Sequence, residues 1–175
     1  RGRARVADGP AGGGADAARG KKVALLGAGS TGEAAMFTAS IDGGDVKLIR
    51  EGGMDFFSTF AWSPDDQFIY FRGEFETAER TQSGIYRVKS DGTGEPELMV
   101  DTFAAMNIDV SPDGTTLAWS VNGDSVIRYA LVADAPATGE QIVRTELEGR
   151  APRFNADGTQ IVYVNGTNYV IADVD

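Results

Sequence analysis

One turn recurs three times in this 175-residue sequence at nearly constant spacing, and that repeat narrows the fold more than any other feature. The segments are Phe60-Ala-Trp-Ser-Pro-Asp-Asp-Gln-Phe-Ile-Tyr-Phe71, Ile108-Asp-Val-Ser-Pro-Asp-Gly-Thr-Thr-Leu-Ala-Trp119 and Pro152-Arg-Phe-Asn-Ala-Asp-Gly-Thr-Gln-Ile-Val-Tyr163. Each is an apolar strand end, a Ser-Pro-Asp-Gly-like turn and a second apolar strand. Asp66, Gly114 and Gly158 are 48 and 44 residues apart, and a degraded copy at Gly20 lies 46 residues before Asp66. A period of about 40–50 residues is that of four-stranded propeller blades. The turn residues have separate tasks. Pro64 and Pro112 preset φ near −65°, Asp65, Asp113 and Asp157 can hydrogen-bond their own backbone, and Gly114 and Gly158 supply a positive φ.

A second pattern follows in each unit. Met36-Phe-Thr-Ala-Ser-Ile-Asp42-Gly43 matches Ile85-Tyr-Arg-Val-Lys-Ser-Asp91-Gly92, and each runs on into another apolar strand, Val46 to Ile49 and Glu97 to Val100. The third unit carries a longer version, Val126 to Val132, a loop with Pro136 and Gly139, then Gln141 to Val143. The fourth supplies Tyr169 to Val174, and Asp175 falls where the next turn would begin. The second strands (Val23 to Leu26, Phe68 to Phe71, Leu117 to Trp119, Ile161 to Val164) are apolar at successive positions, as expected of sheets covered on both faces. The expectation is an all-β chain: a partial β-propeller of about three and a half four-stranded antiparallel blades. The units are 18–53, 54–103, 104–147 and an incomplete 148–175, behind a linker-like 1–17.

Composition removes whole classes of function. The chain has no Cys and no His, so disulfides, thiol chemistry and a Ser-His-Asp triad cannot be built from it. A net charge of −10 opposes nucleic-acid binding, and the one basic concentration is Arg1, Arg3 and Arg5 in a Gly/Ala-rich start. No apolar run is long enough for a transmembrane helix.

The Phe/Val-Ser-Pro-Asp-Gly-x-x-Leu/Ile-Ala/Val-Trp/Tyr pattern, followed by Ile-Tyr-x-Val-x-Ser-Asp-Gly, resembles the TolB-type WD40-like (PD40) β-propeller repeat over residues 18–175. The resemblance implies a fragment of a longer propeller with six or more blades. It implies a non-catalytic scaffold for a protein or peptide partner in the bacterial periplasm or secreted, with no cofactor. The same repeat also occurs in propellers attached to prolyl-oligopeptidase- and tricorn-type peptidases, so a substrate-gating portion of such an enzyme is the alternative. Open blade faces at the ends imply self-association.

A competing motif is present. Lys21 to Leu26 followed by Gly27-Ala-Gly29-Ser-Thr-Gly32 reads as an apolar strand and G-x-G-x-x-G, Glu33 to Ile41 as a short helix, and Glu51 as the acid that would meet a ribose. That is a dinucleotide-binding enzyme in outline. Against it, no alternation of strands with long helical patterns follows, and the same residues fit a blade.

Further candidates are local. Asp42, Asp65, Asp66, Asp91, Asp113 and Asp157 carry hard oxygen donors, but none has the dense spacing of a calcium loop, so they read as turn-formers and no metal is expected. The stretch Arg72 to Gly84 reads as an acidic loop joining strands two and three of the second unit, longer than its counterpart Asn122 to Asp124. An exposed Phe75 among Glu74, Glu76 and Glu79 would suit a partner with basic groups. Trp62 and Trp119 are expected in the core. Asn165-Gly-Thr167 is a glycosylation acceptor pattern, meaningful in a eukaryotic secreted protein alone.

Overall fold

A computed structural model describes residues 14–16, 20–44, 46–55, 58–121, 124–131 and 143–174. Among them every regular element is a β-strand, so none forms a helix that could cross a bilayer. The strands form four antiparallel sheets, each in sequential order. The first holds β1 (Gly14–Asp16), β2 (Lys22–Ala28), β3 (Ala34–Ser40) and β4 (Lys47–Glu51). The second holds β5 (Phe60–Trp62), β6 (Phe68–Glu76), β7 (Thr81–Lys89) and β8 (Glu97–Asp101). The third holds β9 (Ala105–Val110), β10 (Thr116–Val121), β11 (Asp124–Leu131) and β12 (Val143–Glu148). The last holds β13 (Arg150–Phe154), β14 (Gln160–Asn165) and β15 (Asn168–Asp173).

The first strands of successive sheets lie side by side, β1 with β5, β5 with β9 and β9 with β13. The sheets therefore stack face to face around a common inner edge. Three apolar slabs fill the gaps between them. Leu26, Met36 and Ile49 meet Trp62, Ile69 and Phe71 in the first slab. Tyr70, Ile85 and Val100 meet Ile108, Leu117 and Trp119 in the second. Ala118 and Ile127 meet Ile161 and Tyr163 in the third. Neighbouring residues of one strand go to different slabs (Ile69 and Phe71 to one, Tyr70 to the next), because side chains alternate across a sheet.

The repeated turn joins the first and second strands of each sheet. The Ser63, Ser111 and Asn155 N–H groups donate to the Phe68, Thr116 and Gln160 carbonyls at 2.9 Å each. The Asp65 carboxylate accepts from the Ser63 hydroxyl (2.6 Å) and the Gln67 amide (3.0 Å), and Asp113 repeats this with Ser111 (2.6 Å) and Thr115 (3.0 Å). Asp157 accepts the Thr159 hydroxyl (2.6 Å) and amide (3.0 Å). Asp66, Gly114 and Gly158 occupy the left-handed region at φ 61°, 76° and 77°. Glycine takes this conformation freely, and aspartate more readily than most residues. Each turn also rests on the unit before it: a Cβ on Gly114 would meet the Pro64 ring at 3.5 Å, and one on Gly158 the Pro112 ring at 3.3 Å.

Several expected boundaries move. The short helix that the competing dinucleotide motif would need over Glu33 to Ile41 is absent, and the third strand of the blade lies there, β3 pairing with β2 through Ala28↔Ala34 to Lys22↔Ser40. Part of the expected linker is ordered, with Gly14 opposite Leu25 and Asp16 opposite Val23. The stretch Arg72 to Gly84 is not a loop but a continuation of β6 and β7, paired from Gly73↔Gly84 to Glu76↔Thr81 around a turn at 77–80. Its charges hide a strand, because Glu74 and Glu76 take the wet face and the other face offers little more than Gly73 and Phe75 as an apolar period. The outer strand of the third sheet continues from Val143 to Glu148, beyond the expected end at Val143. Residues 1–13, 122–123, 132–142 (with Pro136 and Gly139) and Asp175 lie outside the described residues.

Candidate functional site

Because the strands run alternately up and down, the turns between second and third strands share one end of the stack with the links from sheet to sheet. Two open pockets form there, at equivalent places two units apart. The first, about 260 Å³, lies between the link into the second sheet (Gly53, Met54, Asp55, Ser58) and the β6–β7 hairpin (Arg72, Glu74, Glu76, Thr81). The second, about 330 Å³, lies between Glu148, Gly149 and Arg150 and the β14–β15 hairpin (Val164, Asn165, Gly166). Asn165 and Gly166 of the glycosylation pattern thus sit at a hairpin and its pocket.

The first pocket has the stronger field. Arg72 bridges Glu74 (3.1 Å) and Asp55 (3.4 Å), so one cation serves two carboxylates. The buried Ser58 hydroxyl donates to Asp55 Oδ1 at 3.2 Å and fixes the link. Glu76 accepts from the Thr81 hydroxyl at 2.7 Å across the hairpin. Three carboxylates against one guanidinium leave the pocket anionic, and strand pairing holds Glu74 and Glu76 on one side of β6.

Phe75 points the other way. The ring is half-buried, 4.6 Å edge-on from Tyr86 and 6.4 Å from Phe71, with the Arg50 guanidinium 5.3 Å from its centre. It covers the Gly73 backbone, where a Cβ would meet it at 2.8 Å. The expectation of an exposed Phe75 is therefore corrected: strand alternation that turns Glu74 and Glu76 outward turns Phe75 onto the sheet. Glu79 is exposed on the turn, its amide held by the Thr77 hydroxyl at 3.3 Å. Asp55 and Ser58 had no sequence signal, since neither lies in a repeated pattern.

The G-x-G-x-x-G stretch is occupied by the chain itself. Gly27 is in β2, and Gly29 and Gly32 shape the β2–β3 turn, with Gly29 N–H donating to the Glu33 carbonyl at 2.8 Å. Glu51 takes the Thr31 hydroxyl (2.6 Å), the Thr31 amide (2.7 Å) and the Ser30 hydroxyl (3.1 Å). A Cβ on Gly29 would fall 2.2 Å from that carboxylate. The glycine thus admits a carboxylate of this chain where a pyrophosphate would need to lie, and no helix N-terminus follows. The dinucleotide reading is overturned.

The Thr31 hydroxyl and amide hold the Glu51 pKa at about 2. Hydroxyl and amide donors likewise lower Asp91, Asp113 and Asp157, with Thr93, Ser111 and Thr159 the leading partners. These groups sit below the roughly 3.9 (Asp) and 4.3 (Glu) of unfolded chains, so the unfolded state takes up protons first as pH falls. Their stabilisation is complete above about pH 5 and is lost progressively as pH falls through the folded values, that of Glu51 at about 2. Thermal unfolding between those limits should show a falling midpoint, and a shallower fall in Glu51→Gln. An unchanged slope in that variant would mean the clamp does not form.

Trp62 and Trp119 are buried, in the first and second slabs. Among the described residues no group of three or more Asp or Glu is arranged to hold a metal ion; the turn aspartates serve their own turns.

No family model and no curated protein matches the chain. Solved structures do. A TolB from Agrobacterium tumefaciens superposes with a TM-score of 0.65 at 19% identity, over 86% of this chain and 52% of its own. The nidogen/laminin complex gives 0.63 at 18%, over 87% and 56%. A prolyl endopeptidase gives 0.54 at 19%, over 91% and 24%. The fold is a partial β-propeller. The four sheets are its blades, their first strands line the central axis, and the pockets open on the blade end that carries the links. The chain spans about half of the TolB chain it matches.

Proposed function

We propose that this propeller is a non-catalytic scaffold that binds a protein or peptide partner, and that the pocket under the β6–β7 hairpin takes a basic group of that partner. The observation that carries this is the pairing of one guanidinium, Arg72, with Asp55 and Glu74 while Glu76 adds further negative charge at the rim. Strand β6 holds Arg72, Glu74 and Glu76, and the Ser58 hydroxyl fixes Asp55 on its link, so little ordering is lost on binding. Likeness to TolB and to nidogen in its complex with laminin supports a partner-binding role, and likeness to TolB a periplasmic or secreted compartment.

The test is titration of the chain with a short Lys/Arg-rich peptide and with its Asp/Glu-substituted control, followed by amide chemical shifts. Shifts at Met54, Glu74 and Thr81 with the basic peptide alone are expected. Glu74→Gln with Glu76→Gln should weaken binding about tenfold, in line with about 1.4 kcal/mol per decade, and added salt should weaken it further. Equal binding of both peptides would sink the proposal. The prolyl endopeptidase likeness keeps one alternative, the substrate-gating part of a peptidase. Sequencing the terminal peptides of the native protein separates the two, since a further domain carrying a nucleophile and a His would be required.

A further inference from the structure

The link from the second sheet to the third, residues 102–104, is flanked by sheets on both sides, yet it leaves a phenyl ring in water. Phe103 is 74% exposed. Among the described residues every other exposed large apolar side chain belongs to the first sheet, its turns or the last sheet. A single exposed apolar side chain is ordinary on a surface; the backbone that produces this one is not. In an extended strand Phe103 would share a face with Ala105, because side chains alternate. Ala105 is 1% exposed, and Ala104 is buried as well at 7%. Ala104 sits at φ 52°, in the left-handed region that residues with a Cβ seldom enter. That kink tucks both alanines inward and turns the ring out. Strained residues of this kind gather at sites that grip a ligand.

The ring stands on the end of the stack that carries the anionic pocket. Asp101, two residues before Phe103, pairs with Gly84, and Gly84 is three residues from Thr81 in the pocket wall. The Arg80 guanidinium holds Asp101 at 2.6 Å, which ties the hairpin to the foot of the link and fixes the separation of ring and pocket. The same ion pair balances Asp101, the charge closest to Phe103 in the chain, so the net negative charge stays with Asp55, Glu74 and Glu76. Strand geometry puts ring and pocket wall within about 20 Å, the span of about six extended residues. We infer, taking the pocket to hold a basic group of the partner as in the proposed function, that the partner is a peptide segment with a large apolar side chain within about six residues of that basic one. The apolar side chain packs on Phe103 while the basic one enters the pocket. Aromatic side chains are enriched at such contacts, and Phe103 takes the role that the sequence suggests for Phe75.

The test is an amide chemical-shift titration with Gly/Ser-based peptides that carry one Arg and, about four residues away in either order, a Phe or an Ala. The Phe peptide is expected to bind about tenfold more tightly than the Ala peptide, a difference typical of an aromatic anchor. It should shift Thr102 and Ala104 besides Met54, Glu74 and Thr81, whereas the Ala peptide should shift the pocket residues alone. Phe103→Ala should abolish the difference by weakening the Phe peptide alone, and Phe103→Leu should keep most of it. The side chain is in water, so neither substitution threatens the fold. Equal binding of the two peptides, with shifts confined to the pocket, overturns the inference and leaves the pocket reading standing. Equal weakening of both peptides by Phe103→Ala also overturns it, since the link would then only be supporting the hairpin. No shift at Met54, Glu74 and Thr81 with either peptide sinks the pocket reading and the Phe103 contact with it.

Discussion

Trp119→Ala is expected to destabilise the protein by about 3–5 kcal/mol, the range for removing a buried large aromatic. The indole is fully buried between the second and third blades, where it shares a slab with Tyr70, Ile85 and Leu117. No neighbouring loop can collapse into the space, because the walls are two paired sheets. Trp119→Phe should cost far less, below about 2 kcal/mol. The buried indole N–H has no hydrogen-bond partner among the described residues, so phenylalanine removes an unpaired donor along with part of the volume. Phe71 fills the equivalent position one blade earlier and shows that the geometry suits that ring. Urea unfolding at fixed protein concentration decides the matter. Equal losses in the two variants would mean that the N–H is satisfied, by a buried water for example.

Gly84→Ala comes next, with an expected loss of about 1–3 kcal/mol from overpacking. A Cβ there would lie 2.4 Å from the Val100 carbonyl oxygen and 2.5 Å from the Leu98 side chain. The leucine can turn aside, but the carbonyl belongs to β8, which pairs with β7 through Gly84↔Asp101 and Ile85↔Val100. Relief therefore requires β8 to move away. Hydrogen exchange should report faster exchange in β8 and at Asp101, which the Arg80 guanidinium holds at 2.6 Å. Native stability in this variant would show β8 to be free to shift, and the pocket rim above it less rigid than the pairing implies.

How far this architecture is legible beforehand depends on where polar residues serve the backbone. The turns at Asp65, Asp113 and Asp157 announce themselves because few residues satisfy a tight turn, and chemistry and geometry coincide there. The second strands are equally plain, because covered sheets demand apolar side chains on both faces. The pocket is half hidden. Glu74, Glu76 and Glu79 stand out by charge, yet strand pairing decides that two of them line the cavity while Phe75 turns away. Asp55 and Ser58 arrive through a link whose course depends on two sheets at once. Glu51 is the sharpest case: its spacing from the glycines suggests a ribose, and the fold brings it instead onto Thr31.

The contact of each turn glycine with the proline of the preceding unit has a consequence for how such a chain can change over generations. A side chain added at Gly158 would press on Pro112 at 3.3 Å, and one at Gly114 would touch Pro64 at 3.5 Å. Neighbouring turns therefore share a surface, and substitutions in them are not independent. Drift in one copy of the turn is felt by the copy before it, most at Gly158 against Pro112, so adjacent units change under a shared constraint.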